Sequence, residues 1–180
     1  MRRRESSRVA LCGVMGALAL VVMLLGSVIP VATFCAPLIS SVLMMTVAIE
    51  YGVKTAVLLY VAVSLLALIL LPDREMAMIF LCFLGYYPML KAYLEKIHPA
   101  LLRTAVKFLL FNAAVVGMYT VLLYVFPLPG LAEEFTGAGK GFVVVLLLMG
   151  NLAFLIYDRA LVCVAHVYRI KFRPRLVRYL

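Results

Sequence analysis

Long apolar runs broken by short polar stretches set the rhythm of this chain, and no run shows the strict alternation of a half-buried strand. Six stretches read as helices, over 9–29, 36–49, 54–71, 76–90, 104–126 and 141–166. The last is the clearest. From Gly141 to Ala165 only Asn151, Asp158 and Arg159 are strongly polar, and at ~1.5 Å per residue such a helix crosses an apolar layer of about 30 Å. Between the runs lie the breakers: Pro30 and Pro37 around Thr33 and Cys35, a turn at Glu50, Tyr51 and Gly52, and the polar link Pro72, Asp73, Arg74, Glu75. Gly85, Tyr86, Tyr87 and Pro88 close the fourth run. A basic segment from Lys91 through Lys96, His98 and Arg103 to Lys107 follows, with the pattern of an amphipathic helix lying on a membrane surface. The loop from Pro127 to Lys140 carries Glu133 and Glu134 and reads equally as a flexible lid or a solvated connector.

Composition turns these runs into membrane spans. A chain of 180 residues with 67% hydrophobic and 14% charged content lacks the polar residues to cover a soluble globule. In lipid every backbone polar group needs an internal partner, so runs of this length are expected as helices. The expectation is an all-α integral membrane protein, six transmembrane helices in a compact bundle, forming a single transmembrane domain over 1–180. The basic residues Arg2, Arg3, Arg4 and Arg8 before the first run mimic a signal peptide, but that run is too long for one and is expected to stay as the first helix.

Charge supplies the orientation. Arg2, Arg3, Arg4, Arg8, Lys54, Lys91, Lys96, Arg103, Lys107, Arg169, Lys171, Arg173, Arg175 and Arg178 fall on one side of the six spans, and only Arg74 and Lys140 on the other. Such an asymmetry predicts a multi-pass protein of the cell membrane with both termini cytoplasmic. The net charge of +9 is thereby assigned to orientation and to anionic lipid at the basic face rather than to nucleic acid.

Asp158 is the residue that asks most of its surroundings. A carboxylate deep in a span costs roughly 2.5–3.5 kcal/mol and is too short to reach the headgroups, so it should face protein. Tyr86, Tyr87, Lys91 and Lys107 are the partners within reason; Arg159 can snorkel out alone. Asn112 and Tyr119 are spaced seven apart, as are Asn151 and Asp158, which returns each pair to one helical face. Counting inwards from the cytoplasmic ends sets Asn112 beside Asp158 and Tyr119 beside Asn151, a polar network of Asn112, Asp158 and Arg159 within the bundle. Its role is either structural or one in transport and coupling.

The familiar chemistry of soluble enzymes is missing from the pattern. There is no HExxH, no GxxxxGK[ST] and no GxSxG, and Cys12, Cys35, Cys82 and Cys163 have no paired spacing. His98 and His166 fall near the cytoplasmic interface, where solvation suits them better than catalysis. The reading is a non-enzyme without metal or cofactor.

In the first span, VALCGVMGALALVVMLLGSVIP, Cys12 and Gly16, then Gly13 and Ala17, are spaced by four. Small residues so placed let another helix approach closely, within the bundle or from a separate subunit. With the short turn EYGVKTAV and the six-span plan, the chain resembles the substrate-binding S-components of energy-coupling factor vitamin transporters. That resemblance implies a small-molecule substrate, a transmembrane coupling subunit contacted through Cys12, Gly13, Gly16 and Ala17, and separate ATPase subunits. It also implies a ligand held in the extracytoplasmic half, near Thr33, Arg74, Glu75, Tyr119, Tyr124 and Asn151. Arg74 and Glu75 read equally as a solvated turn. The alternative is a membrane scaffold or assembly subunit with no ligand of its own, which predicts a filled bundle where a binding subunit predicts a cavity among helices four to six.

Overall fold

The six apolar runs fold as helices long and apolar enough to cross a membrane, and no strand occurs among the described residues. The computed structural model describes residues 2–29, 32–124 and 139–172, with the side chains of 2–4, 123, 139–143 and 172 left out. Most of the 127–140 loop and the cations Arg173, Arg175 and Arg178 therefore lie outside the described residues. In chain order the elements are α1 (Arg2–Gly26), α2 (Ala32–Tyr51), α3 (Val53–Leu70), α4 (Arg74–Ile79), α5 (Tyr87–Leu94), α6 (Ala100–Tyr124) and α7 (Gly139–Val167). A π-helical turn over Phe80–Leu84 joins α4 to α5, and a second one, Tyr168–Phe172, follows α7.

Local chemistry explains the joints. Gly52, at φ 85°, takes the left-handed conformation that reverses the chain between α2 and α3. Asp73 caps α4 by accepting from the Met76 amide at 3.1 Å, and its other oxygen accepts from the Thr33 hydroxyl at 3.1 Å. One carboxylate thus ties the starts of α2 and α4. In the π turn the Gly85 amide reaches back to the Phe80 carbonyl at 2.8 Å, and the Tyr60 hydroxyl donates to Leu81 O at 2.5 Å. A Cβ on Gly85 would stand 2.6 Å from the Tyr60 ring, so this glycine sets how closely α3 approaches the turn.

Pro37 departs from the sequence expectation. It lies inside α2, fully buried, rather than in the loop before it. Its missing amide falls in the second turn, and the helix begins four residues earlier than the apolar run suggested. The basic segment after the fourth span also differs. It forms no separate surface helix: α5 carries Lys91 inward, a turn covers residues 95–99, and α6 begins at Ala100. The physical reason is the acid on α7, described below, which draws Lys91 and Lys107 into the bundle.

The core is divided. Ala19 and Met23 of α1, Ala36 and Met44 of α2, Val63 and Ala67 of α3, and Met76 and Phe80 pack as one cluster. Here a Cβ on Gly26 would collide with that of Ala36 and stand 3.3 Å from Met76 Cε. A second cluster joins Met78, Phe83 and Tyr87 to Met118 and Leu122 of α6 and to Phe154, Tyr157 and Leu161 of α7. A third, with Val47, Ala56 and Met89 and flanked by Cys12 and Met15, closes the end of the bundle where α1 begins. That end is the basic end hereafter. The opposite end carries the 72–75 link.

Candidate functional site

Between α2, the 79–84 segment, α6 and α7 lies a cavity of about 570 Å³. Phe83, Phe111 and Phe154 form one wall, with Phe111 and Phe154 stacked at 4.8 Å and 10° and Phe83 set edge-on to both. Met118, Ala114 and Leu147 line the middle, Tyr119 and Tyr157 contribute the hydroxyl-bearing rings, and Phe34 and Met149 stand at the rim. The Tyr119 hydroxyl donates to Glu75 Oε1 at 3.0 Å, on the side of the 72–75 link. Tyr157 meets the Ser41 hydroxyl at 2.8 Å, and because Ser41 spends its single hydrogen on Leu38 O at 2.6 Å, the tyrosine is the donor.

One residue beyond Tyr157, towards the basic end, Asp158 sits in a cluster of charges. Lys91 Nζ stands 2.5 Å from Oδ1 and also donates to the Asp158 backbone carbonyl. Lys107 Nζ spans both carboxylate oxygens at 3.0 and 2.9 Å, and the Tyr87 hydroxyl donates to Oδ1 at 2.6 Å. Side-chain exposure is 7% for Lys91, 10% for Lys107 and 16% for Asp158. Glu95, 3.7 Å from Lys91, supplies a second acid at the rim. Three chain segments, α5, α6 and α7, are joined through one carboxylate. Such a cluster is expensive to leave half-made, so its chemistry is to hold the segments in register.

The register it holds is not the one expected from counting. Asn112 bonds Asn151, with the two side-chain amides donating to each other at 3.0 and 3.1 Å, and it is Lys107, not Asn112, that meets Asp158. Relative to the expected pairing, α6 and α7 slide by roughly one and a half to two turns. The cause is Lys107, treated in the count as an interfacial cation although it lies on the same face as the acid's needs. Arg159 takes no part in the network: it is exposed and makes no hydrogen bond or ion pair among the described residues.

The six residues expected near a ligand fall into distinct places. Tyr119 lines the cavity, with Glu75 behind it. Thr33 bonds Asp73 at the link, and Arg74 donates to the Leu68 carbonyl at the end of α3. Asn151 adjoins the lining residue Gly150 and turns to Asn112. Tyr124 is 85% exposed at the end of α6. The four small residues of α1 also divide. Gly16 is buried, where a Cβ would stand 3.0 Å from Leu59, and Cys12 is partly covered, whereas Gly13 and Ala17 face outward.

Sequence reasoning passed over the aromatic wall and Ser41. The signal for the wall was present: Phe83 and Tyr87, Phe108 and Phe111, and Phe154 and Tyr157 stand three or four apart in the chain, and in the fold Phe83 packs on Tyr87, Tyr87 on Tyr157 and Phe108 on Phe154. No group of three metal-ligating side chains gathers among the described residues. No family model matches the chain, and neither the curated proteins nor the solved structures contain a match.

Proposed function

We propose that this chain is a membrane-embedded, substrate-binding subunit of a small-molecule uptake system that relies on a separate coupling subunit and ATPase. The observation that carries this reading is the cavity of about 570 Å³ among α2, the 79–84 segment, α6 and α7. Its size lies in the ordinary range for small-molecule sites, and a scaffold would have had that volume filled. The membrane setting is supported by the outer surface, where Leu58, Leu65 and Ile69 of α3, Leu109 of α6 and Leu148 and Ile156 of α7 stand exposed. Apolar surface on that scale belongs against acyl chains. The basic residues at one end orient that end, with both termini, to the cytoplasm and to anionic headgroups. The cavity then opens in the half remote from the cytoplasm, and the charge cluster lies beneath it.

No nucleotide-binding loop occurs in this sequence, and the reading assigns the supply of energy to a partner. The exposed face of α1 at Gly13 and Ala17 is where a helix of a coupling subunit fits closely, since a Cβ on Gly13 meets nothing within 4 Å. The same face supports the second reading, a scaffold that binds a partner without a ligand. Purification of the intact protein from its native membrane, with identification of co-purifying proteins and small molecules, separates them. Recovery of an ATPase-bearing complex and a bound solute is the expected result. A partner complex without any solute, across repeated preparations, would replace the transport reading with the scaffold.

A further inference from the structure

Among the described residues, no charged side chain lines the cavity, and its polar groups are the Cys82 thiol and the hydroxyls of Tyr119 and Tyr157. Both hydroxyls donate to protein partners, Glu75 and Ser41. A charged solute would leave its water without a counter-charge, a loss far larger than two such hydroxyls offset. The wall that remains is a set of rings, with Phe111 and Phe154 face to face and Phe83 at 75° and 70° to them. Faces and edges so arranged favour another ring over a flexible chain.

The opening points sideways. Phe34 of α2 and Met149 of α7 both line the cavity and are 55% and 63% exposed. Leu38, Ala153 and Tyr157 are shared with a second, outward-facing groove of about 370 Å³ that continues along α2 and α7 past Ile39, Ile156 and Ala160. Only Tyr157 in that groove carries a polar side-chain atom. Ala153 and Ala160, as small residues on α7, leave the gap that larger side chains would close. An apolar track thus runs from the surface of the bundle to the ring wall.

We propose that the cavity takes an uncharged, ring-bearing lipophilic solute that enters from the acyl-chain region between α2 and α7. This inference rests on the solute-binding reading and narrows it to a chemical class and a route. Benzophenone, uncharged and two-ringed, is the probe: on irradiation it inserts into a neighbouring C–H bond, and methionine is a favoured target. With the intact protein in a lipid nanodisc, labelling is expected on Met118, which lines the cavity and is buried, beyond the labelling that the exposed Met149 receives from the lipid side. The anionic analogue benzoylbenzoate is expected to leave Met118 unlabelled. Ala153→Phe should abolish the cavity labelling while leaving that of the outward residues Leu58 and Ile69 unchanged. Ala153→Leu, a smaller plug, provides the same comparison should the phenylalanine variant fail to fold.

Labelling of Met118 no stronger than that of Met23, a methionine buried among α1, α2 and α3, would overturn the inference. So would equal labelling by the anionic analogue, or persistence of cavity labelling in a folded Ala153 variant. A phospholipid that holds the cavity and is not displaced by benzophenone would replace the solute with an acyl chain and also refute it. The two readings fail separately. Co-purification of an ATPase complex with a charged solute sinks this inference and spares the transport reading, whereas cavity labelling without any co-purifying ATPase does the reverse.

Discussion

The first three helices and the rest of the bundle are held together by different means. In α1, α2 and α3 the contacts are made by Ala19, Met23, Ala36, Met44, Val63 and Ala67, with Gly26 allowing near contact of two backbones, and a buried hydroxyl such as Ser40 closes on the Ala19 carbonyl at 3.0 Å. In the second half the packing is by rings, and rings do not fill the space: a cavity is left. Polar ties take over there, at Asp158, at Asn112 with Asn151 and at Tyr119 with Glu75. Between apolar helices in lipid there is no hydrophobic force to draw them together, so close packing or polar contact must do it. A half that leaves a cavity gives up part of the first and depends on the second.

The contrast breaks most visibly at Asp158. Asp158→Ala leaves Lys91 and Lys107 buried without their carboxylate, and the expected loss is about 3–5 kcal/mol, read as a large drop in the thermal midpoint of the purified protein. Removing all the charges together, with Lys91→Met, Lys107→Met and Asp158→Leu, should recover most of that loss. In the first half, Ser40→Ala should cost only about 1 kcal/mol, since it removes one hydrogen bond and strands no charge. Equal midpoints for Asp158→Ala and Ser40→Ala would erase the distinction between the halves.

Two glycines sharpen it. Gly85→Ala puts a methyl 2.6 Å from the Tyr60 ring and 2.8 Å from the Phe80 carbonyl oxygen. Backbone cannot yield as a side-chain tip does, and a loss of about 1–3 kcal/mol is expected from overpacking. Gly13→Ala meets open space and should hold or raise stability by up to about 1 kcal/mol through helix propensity. Its effect is expected instead on co-purification of a coupling subunit, measured on the same preparations. Loss of stability in Gly13→Ala would place that face inside the fold.

Much of the architecture was legible because six apolar runs with polar breaks leave little freedom in helix count. Pro37 misled because proline marks a break in most helices, and here the second turn of α2 accommodates it. Asp158 announced its need for a partner, and the residues that meet it, Tyr87, Lys91 and Lys107, were among the four named from type and depth. What counting missed was the register, because lysines near a helix end satisfy the orientation rule equally well in the headgroups or in the bundle. Of the cavity, Tyr119 and the later helices were legible, but not its lining by rings or the share taken by Phe34 and Leu38 of α2. Empty volume is a property of how Phe83, Phe111 and Phe154 stack across three chain segments, and a one-dimensional pattern carries the rings without the distances between them.

The smallest effect tests the register directly. Asn112 and Asn151 exchange two interhelical bonds, and each amide also donates within its own helix, to Phe108 O at 2.8 Å and Leu147 O at 2.7 Å. Their neighbours in chain thus keep part of each side chain satisfied when the other is removed. With interhelical bonds averaging about 0.6 kcal/mol, Asn112→Ala should cost roughly 1 kcal/mol. The sharper measurement is a double-mutant cycle in which Asn112→Ala and Asn151→Ala together cost less than the two changes taken singly, with a coupling near 1 kcal/mol. The cycle of Tyr119→Phe with Asn151→Ala should show none, because the Tyr119 hydroxyl is committed to Glu75. Coupling in the second cycle and not the first would return α6 and α7 to the register that counting from their ends suggests, and would take Lys107 away from Asp158.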